Sequence, residues 1–69
     1  MPLTLAPKGE KLVITHIGGN AEVRQHLADL GFTAGGLICV IAAVNGDLIV
    51  NVRETRVAIS RNMASKIMV

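Results

Sequence analysis

The chain has no tryptophan, no tyrosine and a single phenylalanine, Phe32, among its 69 residues. Proline-rich peptides are gripped between aromatic rings, and the bases of single-stranded nucleic acid stack on them. Neither mode of binding suits a chain this poor in aromatics. The core must therefore be built from Leu, Ile and Val, within an apolar content of 51%. Cysteine is almost as scarce: Cys39 stands alone, so an intramolecular disulfide is excluded, and with it the disulfide-stapled class of small secreted domains. The longest apolar run, Leu37 to Val44, falls far short of the ~20 residues that span a bilayer. No charged segment followed by an apolar stretch opens the chain, so no signal peptide is expected and the reading is a soluble cytoplasmic protein. Charge is equally sparing. A net +2 comes from seven basic residues interleaved with five acids, a solvated surface rather than a strongly basic one.

What the chain does have is concentrated between Val23 and Thr33. Val23, Leu27 and Leu30 stand at i, i+4 and i+7, which places them on one face of a short amphipathic helix. Asn20 is the expected N-cap, with Glu22 in the first turn, where a negative charge favours the helix dipole. Gly31 falls where a left-handed C-cap residue belongs, and Phe32 and Leu27 then form the apolar pair of a Schellman cap. Val23, Leu27, Leu30 and Phe32 are the expected core contribution of this segment.

Around that helix the pattern is of short strands. Leu3 and Leu5 suggest a first strand before a Pro7-Lys8-Gly9 turn, and Leu12 to Ile17 a second, ended by Gly18-Gly19-Asn20. Leu37 to Val44 reads as a long buried strand. Asn45-Gly46 is the pair preferred in a type I′ hairpin, whose two central residues both need positive φ. Leu48, Val50 and Val52 alternate along the returning strand, Glu54-Thr55 makes a second tight connection, and Arg56 to Ile59 follows as a strand. Ser60 caps a single helical turn, and Ile67 to Val69 closes the chain against an early strand. Residues 1–69 are thus expected to form one mainly β domain, a small SH3-like barrel of five to six short strands. One helix lies between early strands and one helical turn precedes the last strand. Closure of this kind removes exposed strand edges. An OB-fold is the nearest competitor, although its helix normally falls later.

The order Leu-x-x-Leu-Gly-Phe-x-x-Gly, strand, Asn-Gly hairpin, two strands, one helical turn and Ile-x-Val resembles the FeoA family, from Leu3 to Val69. Arg24 to Gly35 is its most specific part, and Ala64 to Val69 resembles the family's usual ending. Two positions depart from the pattern: Ala34 stands where proline is common, and His26 where Arg or Lys is frequent. The resemblance implies an SH3-like barrel, found also at the C-terminus of iron-dependent repressors of the DtxR type. It also implies a non-enzymatic accessory role in bacterial ferrous-iron uptake. The implied partner is FeoB, a membrane transporter with a cytoplasmic GTPase domain, met without insertion into the membrane.

The residues themselves offer little chemistry. Cys39, inside Leu-Ile-Cys-Val-Ile, reads as a buried thiol behaving as a small hydrophobe. His16 lies in a strand, sharing a face with Leu12 and Ile14, and His26 flanks the apolar stripe of the helix. The two histidines are on different elements with no ligand at metal-binding spacing, so no metal site and no cofactor are expected. No nucleophile elbow or carboxylate pair points to an enzyme. Gly35-Gly36 follows the helix and precedes a strand, the reverse of a phosphate loop. Contact with a protein remains, and the expected contact face is Arg24, Gln25, His26 and Asp29 on the outward side of the helix, with Thr33 in the turn. Two alternatives stay open. One is a nucleic-acid-binding barrel using Arg53, Arg56 and Arg61 clustered across a hairpin. The other is a metal-sensing module using His16, His26 or Cys39. Exposed edges and a small core allow a weak homo-oligomer without requiring one.

Overall fold

Strand propensity and turn chemistry divide the chain into eight regular elements, which a computed structural model describes over residues 1–69. Strands β1 (Lys11–Val13) and β2 (His16–Ile17) precede helix α1 (Ala21–Asp29). Strands β3 (Leu37–Val44), β4 (Asp47–Val52) and β5 (Thr55–Ser60) follow as a meander. The short helix α2 (Arg61–Ala64) and strand β6 (Ile67–Met68) complete the chain. One antiparallel sheet has the order β1-β3-β4-β5, and a second pairs β2 with β6. This is the SH3-like barrel expected from the element order.

The start of the chain departs from expectation. Leu3–Leu5 is a 3-10 turn, not a strand; Leu3 is buried and Leu5 is exposed. Alternate leucines fit either geometry over so short a span. The backbone after Pro2 closes on itself through Leu5 N to Pro2 O and Ala6 N to Leu3 O, each 3.0 Å. The stretch read as one strand, Leu12 to Ile17, is two. Val13 pairs with Leu37, Ile14 donates to Gly36 O at 2.9 Å, and Thr15 donates to Met68 O at 2.8 Å. The chain thus passes from one sheet to the other between Ile14 and Thr15, and the in–out alternation restarts there. Ile14 is accordingly fully buried, while His16 is exposed and shares no face with it.

The core follows from alternation. Ile38, Val40, Leu48, Val50, Val52 and Ile59 line the inner face of the four-stranded sheet, closed by Leu3, Ile14, Leu27, Phe32, Ala64 and Ile67. Strand β3 is buried on one face only, contrary to the expectation of a buried strand. Ile38 and Val40 point inward, while Leu37, Ile41 and Val44 are exposed. An apolar run is covered on both faces only where a second layer packs outside it, and here one face of an antiparallel sheet meets solvent. Cys39, on that outer face, is half-buried rather than buried.

One cap and one turn behave as expected. Ser60 Oγ accepts from Met63 N at 3.2 Å at the start of α2, and Asn45 and Gly46 take φ of 49° and 86°, the left-handed pair of a type I′ hairpin. The second hairpin is displaced by one residue from the expected Glu54-Thr55. Val52 faces Thr55, so the turn is Arg53-Glu54, with φ of 51° and 62°.

Candidate functional site

Helix α1 and the turn after it form the first candidate surface. Asn20 takes extended backbone angles, and its Oδ1 accepts from Val23 N at 2.9 Å, satisfying one of the amides a helix start leaves free. At the other end Phe32 N donates to Leu27 O and Gly31 N to Ala28 O, both at 2.9 Å, with Gly31 at φ 105°. This is the Schellman pattern. It sends Phe32 into the core beside Leu27, which is 0% exposed. Leu30, expected in the core, is instead 37% exposed. As the C-cap residue it sits where the chain reverses, and Phe32, 1% exposed, supplies the buried side chain after the helix instead. Val23 is half-buried.

The outward residues divide. Arg24, Gln25, His26 and Asp29 are all exposed. Gln25 Nε2 donates to Asp29 Oδ1 at 2.9 Å, an i, i+4 pair that holds these two together at the centre of the polar side. Arg24 and His26 lie about 200° apart around the helix axis, so they flank that pair from opposite margins. Thr33 is half-buried, and its carbonyl accepts from Gly36 N at 3.0 Å. With Gly35 at φ 89°, Thr33-Ala34-Gly35-Gly36 has the features of a type II turn, which needs a positive φ at its third position. Gly35 N donates to Ile14 O at 2.7 Å, fastening the turn to the barrel.

Of the three arginines that could cluster across a hairpin, Arg61 stands apart from the other two. Arg53 lies in the turn where Val52 faces Thr55, and Arg61 follows Ser60, which faces Asp47 at the other end of the same ladder. Five strand steps separate the two ends, on the order of 17 Å. Arg61 N in fact donates to Gly46 O at 3.1 Å. The three-arginine patch that would support nucleic-acid binding is therefore not assembled. No group of three or more His, Cys, Asp or Glu side chains stands where a metal ion would be held. His16 pairs with Met68 in the small sheet, His26 lies on α1 and Cys39 on β3, so no two of the three share an element.

A second surface escaped the sequence. On the outer face of the larger sheet a cleft of about 300 Å³ opens beside the helix C-cap, lined by Lys11, Leu37, Cys39, Asn51, Arg53 and Glu54 among others. The available signal was the alternation itself: if Ile38 and Val40 face inward, then Leu37, Cys39 and Ile41 face outward.

Fold and surface together define a small SH3-like barrel that presents open faces. The chain belongs to the FeoA domain family, which it matches over residues 1–69. A protein of Methanocaldococcus jannaschii, provisionally named Fe(2+) transport protein A, is 34% identical over 68 residues, covering 99% of this chain and 83% of the relative. A crystal structure of an iron uptake regulatory protein, FeoA, matches with a TM-score of 0.88 at 33% identity, over 97% of this chain and 89% of that one. FeoA of Stenotrophomonas maltophilia, described as a procaryotic SH3 domain protein and solved in complex with zinc, gives a TM-score of 0.83 at 24% identity. That match covers 99% of this chain and 87% of the other. A manganese-dependent transcriptional repressor has the same barrel, with a TM-score of 0.87 at 17% identity. There 97% of this chain matches 39% of the repressor, a likeness of fold alone. The family assigns this chain to ferrous-iron transport as an accessory component.

Proposed function

We propose that this protein is a non-enzymatic regulator of ferrous-iron uptake that works in the cytoplasm by docking on the cytoplasmic side of FeoB. The observation that carries this reading is the match to the FeoA family along the whole chain, together with relatives named for iron transport and iron-uptake regulation. The geometry agrees in kind. A barrel held by its inner apolar rows leaves the outward side of α1 free of structural duty, apart from the Gln25–Asp29 pair. Arg24, Gln25, His26 and Asp29, with Thr33 in the adjoining turn, are the contact residues on this reading.

Co-purification with detergent-solubilised FeoB tests it. The unaltered chain should bind, and R24E, H26E and D29K should each weaken binding by about tenfold, the effect of reversing or adding a charge within a contact. Undiminished binding by all three variants moves the contact off the helix. No binding by the unaltered chain removes FeoB as the partner.

A further inference from the structure

The solvent face of an antiparallel sheet is ordinarily polar. Here the outer face of the larger sheet is apolar along its middle. Leu37 and Val13, directly opposite each other, are 55% and 50% exposed, and Ile41 is 38% exposed. Cys39 lies between Leu37 and Ile41 on β3, and Ile49, half-buried on β4, faces Ala42 just past the bulge in β3. Contiguous exposed apolar surface of this kind marks interaction sites in soluble proteins.

Cations stand along both margins of that strip. The ladders place Lys11, Cys39, Asn51 and Arg56 in one row across four strands, all on the outer face. At about 4.8 Å per strand, Lys11 and Arg56 are roughly 14 Å apart. Arg53 opens onto the cleft on the β5 side. No Lys or Arg side chain in the protein donates a hydrogen bond to another residue, so all three are uncommitted. The carboxylates of this face, Glu54 in the turn and Asp47 at the far end, are fewer and lie at its two ends.

We propose that this face receives an acidic amphipathic helix from a protein partner. The apolar stripe of the helix lies along Leu37, Cys39 and Ile41, and carboxylates on its two flanks meet Lys11 on one side and Arg56 on the other. A helix with its side chains is about 10–12 Å across, which fits between margins of that separation. The apolar strip from Leu37 to Ile41 runs about 13 Å, the length of two to three helical turns. Charge selects this occupant. A second copy of the chain would bring like-charged margins together, and a nucleic acid would gain nothing from the apolar middle. A bilayer surface is a poorer fit because the strip carries no aromatic side chain to insert. The proposal concerns a different face from the α1 contact, and its test does not involve FeoB.

The probe is a synthetic peptide of about four helical turns with leucines at helical spacing and glutamates on both flanks. A control peptide replaces every glutamate with lysine. Titrated into the full chain at low salt, the glutamate peptide should shift the backbone amides of Leu37, Cys39, Asn51 and Arg56. It should also slow alkylation of Cys39 by iodoacetamide. L37S and R56E should each weaken binding by about tenfold, and neither residue is buried, so both variants should fold. The lysine peptide should not bind. Equal binding of both peptides, shifts confined to residues 24–33, or no shift at all would overturn the proposal. So would partitioning of the chain onto phosphatidylglycerol vesicles with neither peptide bound, or concentration-dependent self-association that alone accounts for Cys39 shielding.

Discussion

Strand β4 is entered and left through two-residue turns of the same backbone shape, yet one is Asn45-Gly46 and the other Arg53-Glu54. The first uses the residues for which left-handed angles are least costly. The second holds two ordinary residues at φ of 51° and 62°, a conformation that costs about 1–2 kcal/mol for each L-residue without local compensation. Their surroundings differ in the same sense. A Cβ added at Gly46 would meet nothing within 4 Å, whereas one at Gly31 would meet Arg53 Cδ at 3.5 Å and Val52 Cγ1 at 3.8 Å. The distal turn has open space around its tip, with Gly46 O accepting from Arg61 N at 3.1 Å. The proximal turn is backed by the C-cap of α1 and further tied by Thr55 Oγ1 donating to Arg53 O at 3.4 Å. Strained conformations persist where packing over-determines them, and they gather at functional surfaces. The strained turn here is the one that borders the cleft.

If the helix cap sustains the proximal turn, loosening the helix should break the contrast most. Leu27→Ala empties a fully buried site and should cost roughly 2–5 kcal/mol in urea unfolding. Hydrogen exchange at Thr55 should rise more than at Asp47, because only the former turn leans on the cap. A loss below about 1 kcal/mol, or equal exchange at both ends, would show that the cap does not support the turn. Next in size is Gly46→Ala. The new methyl meets no atom, so the whole cost of about 1–2 kcal/mol arises from placing alanine at φ 86°. Exchanging Arg53-Glu54 for Asn-Gly inverts that experiment. It should stabilise the fold by about 1 kcal/mol, read as a higher urea midpoint with unchanged slope. Because it removes Glu54 together with Arg53, the net charge of the outer face is unchanged and binding of the acidic peptide should change little.

The difference between the turns also marks what the sequence made legible. Asn45-Gly46, Asn20, Ser60 and Gly31-Phe32 each announce a local geometry by residue type, and each was read correctly. Arg53-Glu54 carries no such mark, and residue type alone puts the hairpin one residue late; its conformation is imposed by the ladder from Val52 to Thr55 and by the cap behind it. The same limit hid the division between β1 and β2, since the hand-over at Ile14 is set by partners on Gly36 and Met68, distant in sequence. The candidate surfaces divide likewise. The polar side of α1 follows from helical periodicity within nine residues. The outer sheet face needs the pairing of four strands before Lys11 and Arg56 can be seen to share a row with Cys39.

The smallest effect concerns a third positive-φ turn, the one between α1 and β3. Ala34 occupies the second position of Thr33-Ala34-Gly35-Gly36, the place in a type II turn where proline's fixed φ is favoured. Its N–H donates to no backbone group within the turn or outside it, so proline removes no hydrogen bond. Nothing in the turn requires alanine there, and proline restricts the unfolded chain. Ala34→Pro should therefore stabilise by about 0.4–1 kcal/mol, acting through the unfolded state. Because the turn is fastened to Ile14 rather than to Arg53, the gain should leave exchange at Thr55 unchanged and simply add to that of the Asn-Gly exchange. A loss of stability would mean that Thr33 does not tolerate the extended conformation a following proline demands. A gain that fails to add would mean that the cap couples this turn to the one at Arg53, and the two ends of β4 would then differ less in support than their contacts indicate.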